Sequence, residues 1–256
     1  MVAGDAFRDG VEPWRTMVGQ AREAVRQELV WRQLSVHLPE AGRALDVGCG
    51  QGSQVIRLAR AGHQVTGIDT SDELLAVAQA SLADEPATVQ GRVRLTHHDL
   101  LDLPASFHGA FDVVCCHGVV MYLPSITGAI GALAGCIRPG GLLSLLTRNQ
   151  AGIAMRAGMT GDWSVVTSGL ASTTYTNRLG LTGVRADDPD LVLAGLDSAG
   201  IRIDAWYGVR LFSDHWGDVP APADLDDVVG AEEAAGSRDP YRRVAALHHF
   251  VGTRRG

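Results

Sequence analysis

The fold of this 256-residue chain is decided by the stretch Arg43-Ala44-Leu45-Asp46-Val47-Gly48-Cys49-Gly50-Gln51-Gly52. A short apolar run that contains one acid ends in three alternating glycines, and a helical pattern begins at Ser53. Glycine has no Cβ, so it occurs where the backbone turns sharply or lies against a ligand. Glycines before a helix also present N–H groups and the positive end of the helix dipole. The stretch therefore predicts a strand, a tight loop and a helix that together hold a nucleotide-like ligand.

The spacing of the glycines distinguishes this loop from a dinucleotide-binding loop. Counted from Gly48, the fingerprint G-x-G-x-x-G/A requires glycine or alanine at position 53, where this chain has Ser53. The observed rhythm is G-x-G-x-G, with Asp46 two residues ahead of it. This pattern resembles motif I of the class I S-adenosylmethionine-dependent methyltransferases. The resemblance implies S-adenosyl-L-methionine as the cofactor and S-adenosyl-L-homocysteine as its product.

Length and composition indicate a globular protein. With 46% apolar residues, the chain can form one large α/β domain or a domain with a cap. It contains no apolar run of about 18 residues, the length of a membrane span, and residues 1–20 do not have the apolar centre of a signal peptide. The four cysteines show no C-x-x-C spacing, which is typical of thiols in a reducing compartment. We therefore expect a cytoplasmic protein with no membrane partner, whose oligomeric state is left open.

The charge balance bears on the substrate. The net charge is −7, and all 22 basic side chains are arginine. An acidic protein does not have the broad positive field that attracts nucleic acid. A nucleic-acid substrate would therefore require a local cluster of arginines.

Strand and helix patterns alternate along the chain. Strands separated by helices are joined by right-handed crossovers into a buried parallel sheet. The predicted strands are 43–47, 64–68, 92–96, 111–116, 142–146, 201–212 and 245–253. The predicted helices are 16–37, 53–61, 73–82, 125–137 and 188–199, and residues 138–141 predict a turn. The predicted fold class is therefore α/β, with a Rossmann-like, seven-stranded methyltransferase sheet and an N-terminal helix.

The alternation stops after residue 148. Residues 149–187 are rich in Gly, Ser and Thr and predict a cap or a mobile loop above the carboxyl edge of the sheet. We expect an N-terminal helical extension over residues 1–38 and a class I methyltransferase domain over residues 39–256. The cap at 149–187 is expected to be inserted after the fifth strand, on the acceptor side.

Acids stand where predicted strands end, and ligands of open α/β sheets lie outside these carboxyl ends. Asp69 ends the second predicted strand, where its carboxylate could accept both ribose hydroxyls of an adenosine. The alternative role for Asp69 is a helix-capping acid, although Thr70 and Ser71 supply a better cap. Asp99 ends the third predicted strand. Its carboxylate could accept the adenine amino group while Leu100 covers the ring, or it could be a solvated turn acid.

Two further residues belong to the same predicted edge. His117 ends the fourth predicted strand beside the predicted methionine moiety of the ligand; the alternative is an edge histidine without such a role. Asp46, within the first predicted strand, could organise the glycine loop and lie near the ligand's ammonium group. The alternative for Asp46 is a purely structural role.

Two histidine pairs do not predict a metal site. The pairs are His97/His98 and His248/His249, and neighbours on a strand point to opposite faces. No acid-rich motif accompanies them, so we expect no metal.

Further motifs along the chain give a closer resemblance, from about Arg22 to Thr253. They are Val30-Trp31-Arg32-Gln33-Leu34, Gly62-His63-Gln64-Val65, Cys116-His117-Gly118-Val119, Arg138-Pro139-Gly140-Gly141, Leu143-Ser144-Leu145, Asn149 with Gly152, Gly161-Asp162-Trp163, Asp188-Pro189, Ala199-Gly200, Gly208-Val209-Arg210-Leu211-Phe212 with Asp214, and Pro240-Tyr241. Together they resemble the bacterial methyltransferases that esterify 5-carboxymethoxyuridine at the wobble position of tRNA. The Gly-Val-Arg-x-Phe and Asn-x-x-Gly elements are more specific than the glycine loop.

This resemblance, with the glycine loop and the strand ends, implies the site residues. Arg26 could pair with the cofactor's carboxylate, or it could be an exposed helix arginine. The acceptor site is expected under residues 149–187. The expected catalytic residues are His117, Arg210, Asn149 and Tyr122. The expected cofactor-binding residues are Arg26, Asp46, Gly48, Cys49, Gly50, Gly52, Asp69, Thr70, Asp99, Leu100 and His117.

The chain departs from this family near the expected acceptor site. Where the family has a lysine-rich run, residues 171–178 carry one charge. Met121 and Tyr122 stand where the family has an acid followed by tryptophan, and Ala246 stands where it has an arginine. The acceptor is therefore either tRNA or a small molecule.

The chemistry expected of the site depends on the acceptor. A carboxylate is already ionised at neutral pH, so an arginine, Arg210 or Arg148, would only orient it. A hydroxyl requires a base, for which His117 is the expected residue. A non-catalytic nucleotide-binding module is the third hypothesis, and the intact glycine loop argues against it.

Overall fold

The computed structural model describes residues 20–178 and 180–256. Its centre is a seven-stranded sheet of order β3-β2-β1-β4-β5-β9-β8, beside a two-stranded ribbon of β6 and β7. The strands are β1 (Arg43–Val47), β2 (Gln64–Asp69), β3 (Val93–His97), β4 (Phe111–His117), β5 (Ile137–Arg148), β6 (Thr174–Tyr175), β7 (Val184–Arg185), β8 (Ile201–Val209) and β9 (Leu247–Arg254). The predicted Rossmann-like fold class is confirmed.

Helices accompany the strands as the crossover pattern requires. They are α1 (Ala21–Ser35), α2 (Ser53–Arg60), α3 (Asp72–Ala83), α4 (Ala87–Gln90), α5 (Ile126–Cys136), α6 (Ala151–Met159), α7 (Trp163–Gly169), α8 (Pro189–Ser198), α9 (Leu225–Gly236) and α10 (Tyr241–Val244). Successive residues of β1 enter two apolar clusters, Ala44 one and Leu45 the other, so the strand is buried on both faces. Among the described helices, none combines the length and the apolar character that a bilayer span requires.

The direction of the strands places the site. β1 to β5 are paired in parallel, so their carboxyl ends share one edge of the sheet. β9 lies antiparallel between β5 and β8. The strand order reverses between β1 and β4, and this reversal opens a crevice at the carboxyl edge.

The predicted N-terminal extension is described from residue 20 onward; residues 1–19, with the predicted helix start at 16, lie outside the described residues. The helix itself is α1, and it packs against α9 and β8. Its buried face includes Arg22, Val25, Leu29 and Gln33. α1 therefore brings polar side chains, as well as apolar ones, to the sheet.

The turn predicted at residues 138–141 is a bulge inside β5. Phe111 pairs with Ile137 and Val113 pairs with Leu142, so four residues of β5 stand opposite Asp112 alone. The Asp112 carboxylate accepts hydrogen bonds from the Arg43 N–H and the Arg138 Nε–H. This pairing keeps the bulge within the strand.

Residues 149–178 and 180–187, expected to form a cap or a mobile loop, contain α6, α7 and the β6–β7 ribbon. The Asn149 side chain anchors the start of this segment, donating from Nδ2 to the carbonyls of Arg243 and Ala245 at 2.9 and 2.7 Å. Gly152 allows the same contact, because a Cβ there would lie 2.9 Å from the Cα of Ala246. The Asn-x-x-Gly element thus joins the cap to the segment before β9.

The strand predicted over 201–212 ends earlier, at Val209, because Arg210 adopts a left-handed backbone conformation with φ 58°. The fully buried Glu232 of α9 holds the following loop. Its carboxylate accepts the backbone N–H groups of Leu211, Phe212 and Ser213 at 2.6 to 3.0 Å, together with the Ser213 hydroxyl. The acidic stretch before β9 therefore supplies the helix that shapes this loop.

The contact of α9 with β8 can be tested by a pair of glycine substitutions. A Cβ on Gly236 would lie 2.4 Å from the Gly208 carbonyl oxygen, whereas one on Gly230 of the same helix would have no heavy atom within 4 Å. We expect Gly236→Ala to lower the free energy of unfolding by about 1–3 kcal/mol through overpacking. Gly230→Ala should raise it by about 0.5–1 kcal/mol, because alanine favours a helix. Urea denaturation measures both, and equal effects would contradict the contact.

Candidate active site

A cavity of about 1380 Å³, its open mouth included, lies at the carboxyl edge between β1, β2 and β4. The structure brings together there ten of the eleven residues expected to bind a cofactor. They are Arg26, Asp46, Gly48, Cys49, Gly50, Asp69, Thr70, Asp99, Leu100 and His117. We call this space the donor cavity.

The glycine loop forms one wall of the donor cavity. Gly48, Gly50 and Gly52 have φ values of 67°, 53° and 83°, which favour glycine. A Cβ on Gly48 would overlap Val119, whereas one on Gly50 would meet no protein atom within 4 Å. Gly50 therefore presents bare backbone to the cavity. Gly52 does not line the cavity, and it serves packing instead, because a Cβ there would lie 3.0 Å from the Cβ of Ala78.

Asp69 holds the loop from the end of β2. Its Oδ2 accepts the Gly50 N–H and its Oδ1 accepts the Ser71 N–H, both at 2.9 Å. Burial raises the pKa of Asp69, and these backbone hydrogen bonds oppose the shift. Ser71, rather than Asp69, caps α3 by accepting the Leu74 N–H. Asp69 therefore lies in the cavity wall as a carboxylate whose remaining lone pairs can accept from a ligand.

Asp46 is a buried carboxyl group in the same wall, 3% exposed. Burial raises its pKa to about 8, and the neighbouring Asp69 adds to the shift while Arg26 opposes it. A carboxyl group in this environment is poised to ionise when a cation enters the cavity.

Arg26 of α1 lies between the two sides of the site. Its Nε donates to Glu23 Oε2 at 2.9 Å, and its Nη2 donates to Glu23 Oε1. The third guanidinium nitrogen, Nη1, makes no hydrogen bond within residues 20–178 and 180–256. Glu23 thus fixes the guanidinium, and Nη1 can still pair with an anionic ligand group.

The far end of the donor cavity is formed after β3. Leu100 is 5% exposed, and its side chain lines the cavity. Asp99 Oδ1 accepts the Leu101 N–H at 2.9 Å, so this acid also shapes its own turn. Both alternatives considered for Asp99, a ligand contact and a turn acid, are compatible with this geometry.

A second cavity of about 880 Å³, which we call the acceptor cavity, adjoins the first. Glu23, Arg26, His117, Gly118 and Tyr122 line both. Of the expected catalytic residues, His117, Arg210 and Tyr122 line the acceptor cavity, and so does Arg148. Asn149 does not: it is fully buried, and its amide is occupied by the backbone contacts of the cap. The structure therefore does not bring Asn149 to the acceptor cavity.

Arginines dominate the acceptor cavity. Six line it: Arg22, Arg26, Arg148, Arg156, Arg178 and Arg210. Within the described part of the chain, the carboxylates that pair with them are Glu23, Asp214 and Asp218. Six guanidinium groups against three carboxylates leave a surplus of three positive charges.

Asp214 is the centre of this cluster. Its carboxylate contacts Arg22 at 2.8 Å, Arg210 at 3.1 Å and Arg148 at 3.4 Å, and its carbonyl accepts from Arg156. Although burial raises the pKa of Asp214, these arginines hold it well below the usual range. Burial lowers the pKa of Arg210 to about 10, so the guanidinium stays charged at neutral pH.

The arginine cluster lacks hydrogen-bond acceptors as well as negative charges. Buried nitrogens of Arg22, Arg148 and Arg210 have no partner among the described residues. Buried donors of this kind are normally satisfied by a hydrogen-bond acceptor. The sequence signal for this cluster was partial: Arg210 and Arg148 were identified from it, whereas Arg22, Arg156 and Arg178 were not.

The expectation of no metal site remains a prediction. Within residues 20–178 and 180–256, no group of three or more His, Cys, Asp or Glu side chains could hold a metal ion. His248 Nε2 donates to the Arg242 carbonyl at 2.9 Å, whereas His249 Nε2 lies 2.8 Å from Ser144 Oγ. The two side chains therefore point apart.

Comparison with protein-family models decides the class. Residues 45–145, which run from within β1 into β5, match the family model of the methyltransferase domain. Residues 45–145 form a methyltransferase domain, and the chain is an S-adenosylmethionine-dependent methyltransferase. Its cofactor is S-adenosyl-L-methionine.

Two kinds of methyltransferase are among the curated proteins similar to this chain. The tRNA 5-carboxymethoxyuridine methyltransferase of Escherichia coli (strain K12) is 29% identical over 205 residues, 78% of this chain and 77% of the relative. The ubiquinone biosynthesis O-methyltransferase of Xanthomonas axonopodis pv. citri (strain 306) is 37% identical over 141 residues, 55% of this chain and 56% of the relative.

Solved structures share the fold. A putative S-adenosylmethionine-dependent methyltransferase from Listeria monocytogenes superimposes with a TM-score of 0.64 at 18% identity, covering 91% of this chain and 99% of that one. A methyltransferase from Mesorhizobium loti gives a TM-score of 0.62 at 20% identity, covering 88% and 98%.

The donor cavity suits the cofactor. The bare backbone at Gly50 allows close approach, and the buried Asp46 and the free Nη1 of Arg26 complement the ammonium and carboxylate of an amino acid. Asp69 can accept from ribose hydroxyls, and Leu100 offers an apolar surface to a base. These assignments remain predictions, and Asp46 offers the sharpest test.

Replacing Asp46 should separate stability from binding. In the folded protein this carboxyl has a pKa of about 8, far above its ordinary value of 3.8. The protein's free energy of unfolding therefore falls as the pH rises from about 4 to about 8. We expect Asp46→Asn to raise the free energy of unfolding at pH 7.5 by at least about 1 kcal/mol, since one pKa unit corresponds to about 1.4 kcal/mol. S-adenosylmethionine should bind more weakly by about 1.5–3 kcal/mol. Urea denaturation and calorimetric titration measure the two effects.

Asp112→Asn is the matched control for this substitution. Burial raises the pKa of Asp112, but the hydrogen bonds from the Arg43 N–H and from Arg138 outweigh it, so the net shift is downward. Asp112→Asn should therefore lower stability at neutral pH and leave S-adenosylmethionine binding unchanged. A destabilised Asp46→Asn variant would show that Asp46 is a structural residue.

The same carboxyl should link cofactor binding to pH. Between pH 6 and 7.5 Asp46 is mostly protonated in the free protein, and the cationic ligand favours its ionised form. We expect binding to release a proton and the affinity to rise with pH over this range. Calorimetric titration in buffers of different ionisation enthalpy counts the protons. Proton release that persists unchanged in Asp46→Asn would contradict the assignment.

Proposed function

We propose that this enzyme methylates a carboxylate oxygen of an anionic acceptor such as 5-carboxymethoxyuridine in tRNA. The observation that carries the proposal is the surplus of arginine in the acceptor cavity, directly beside the donor cavity. A carboxylate would neutralise part of that charge by pairing with the arginines that line the cavity.

The reaction requires the protein mainly to place the acceptor carboxylate beside the methyl group of the cofactor. When bound, the cofactor supplies a methyl group that is already activated on a sulfonium. The acceptor carboxylate is ionised at neutral pH, so no general base is required. Arg210 and Arg148 would orient it, while Tyr122, Tyr175 and the cap exclude water from the shared wall of the cavities. Burial raises the pKa of the Tyr122 phenol, which keeps it neutral.

The tRNA substrate is supported by similarity to the Escherichia coli enzyme over 78% of this chain. The local arginine cluster answers the objection from net charge, since a nucleic acid can be bound by a local positive region within an acidic protein. A reducing, cytoplasmic location fits this substrate and the four buried free cysteines. We also propose the division at residue 38 between the helical extension and the methyltransferase domain, with the cap as the acceptor-side insertion.

O-methylation of a small metabolite is the second candidate function. The similarity to ubiquinone biosynthesis O-methyltransferases, which reaches 37% identity over 141 residues, supports it. If the acceptor were a hydroxyl, His117 would be the base, because it lines both cavities and burial holds its pKa well below the usual range.

A test of tRNA as the methyl acceptor distinguishes the two candidate functions. tRNA purified from cells lacking this protein should take up labelled methyl groups from S-adenosylmethionine, as an ester that mild alkali removes. No uptake by tRNA would contradict the tRNA proposal and favour a metabolite.

Arg210 provides the residue-level test. Arg210→Met should reduce kcat/KM for the acceptor by about 10- to 150-fold, which corresponds to the 1.5–3 kcal/mol of a lost charged hydrogen bond, and should leave cofactor affinity unchanged. Arg202→Met is the control, because Arg202 pairs with Asp204 at the surface of β8. Equal activity of both variants would contradict the role of the arginine cluster.

A further inference from the structure

A line of hydrogen bonds connects α1 with the shared wall of the two cavities. Gln33 Oε1 lies 2.8 Å from His249 Nδ1, and His249 Nε2 lies 2.8 Å from Ser144 Oγ. Ser144 Oγ in turn lies 2.8 Å from His117 Nε2. The line crosses α1, β9, β5 and β4. Gln33, Ser144 and His249 are all buried.

The two histidines are neutral, so each carries one ring proton. Burial lowers the pKa of His249 to about 3, and burial together with His249 and Arg26 lowers the pKa of His117 well below its usual range. In a neutral imidazole one nitrogen donates and the other accepts. The tautomer of each ring is therefore decided by its hydrogen-bond partners.

The Gln33 end of the line decides which atom donates and which accepts in each of its hydrogen bonds. The Gln33 Oε1 atom can only accept, so His249 Nδ1 carries the proton and His249 Nε2 accepts the Ser144 hydroxyl. The Ser144 oxygen then accepts from His117 Nε2–H. The other ring nitrogen of His117, Nδ1, makes no hydrogen bond within the described residues, and the ring lines both cavities.

We infer that Gln33, His249 and Ser144 are positioning residues that hold His117 as its Nε2–H tautomer, so that Nδ1 offers a lone pair to the bound ligands. A group in this state can accept a hydrogen bond from an ammonium or a hydroxyl, and it cannot donate to a carboxylate. Orientation of a carboxylate is thereby left to the arginine cluster. This last consequence rests on the proposed function, whereas the tautomer itself does not.

The tautomer can be read directly by nitrogen NMR of the full-length protein labelled with ¹⁵N-histidine. The signal that disappears in His117→Gln belongs to His117. We expect its long-range proton–nitrogen correlations to show a protonated Nε2 and an unprotonated Nδ1 in the wild type. A protonated Nδ1 would mean that the line runs in the opposite direction, with the Gln33 amide nitrogen facing His249, and would overturn the inference.

Variants test whether the line causes the tautomer. Ser144→Ala removes the partner of Nε2, so the Nδ1–H form of His117 should become populated. Thr147→Val is the control, because it removes another buried hydroxyl from β5, one that donates to Asp187 instead. An unchanged His117 signal in Ser144→Ala would contradict the positioning role.

Gln33→Leu is a second, independent test of the line of hydrogen bonds. This substitution removes the Oε1 acceptor of His249 Nδ1 and leaves the neighbours of His117 unchanged. We therefore expect a mixture of His117 tautomers. A wild-type spectrum in Gln33→Leu would show that Gln33 does not set the direction. These readouts require no methyl acceptor, so failure of the tRNA proposal would leave them intact, and their failure would leave the tRNA proposal intact.

Discussion

The reversal of strand order between β1 and β4 is the constraint on which the site depends. Connections on the two sides of this point leave the sheet in opposite directions, so the carboxyl ends of the strands open into a crevice. The glycine loop after β1 and His117 at the end of β4 therefore both line the donor cavity. Asp69, from β2, ties the loop to the sheet edge by accepting the Gly50 N–H. Every other part of the site is arranged around this edge.

Charge is distributed unevenly on the two sides of that edge. The donor cavity holds the buried carboxyl of Asp46 and the half-buried carboxyl of Asp69, and the acceptor cavity holds a surplus of guanidinium groups. Arg26, fixed by Glu23, lies in the wall that both cavities share. An amino-acid ligand carries both signs of charge, whereas an anionic acceptor carries one. The polarity of the site thus agrees with the proposed arrangement of a zwitterionic cofactor on one side and an anionic acceptor on the other.

The acceptor side is built by elements that follow the common sheet. Asp214 gathers Arg22 from α1, Arg148 from β5 and Arg210 from the end of β8. Arg210 has a left-handed backbone, and the loop after it is held by four hydrogen bonds to the buried Glu232 of α9. A single acid and its supporting helix therefore position three arginines that lie far apart in sequence.

The amino-acid sequence by itself determined the alternation of strands and helices, the glycine loop and the acids at the strand ends. These features are local, because strand burial, glycine φ values and chain direction follow from neighbouring residues. Tertiary structure alone decided which cations meet at Asp214, that Asn149 anchors the cap and not the acceptor, and that Gly52 packs against Ala78. It also joined Gln33 to His117 through two strands. Such contacts depend on side chains brought together by long-range packing, which no local periodicity specifies.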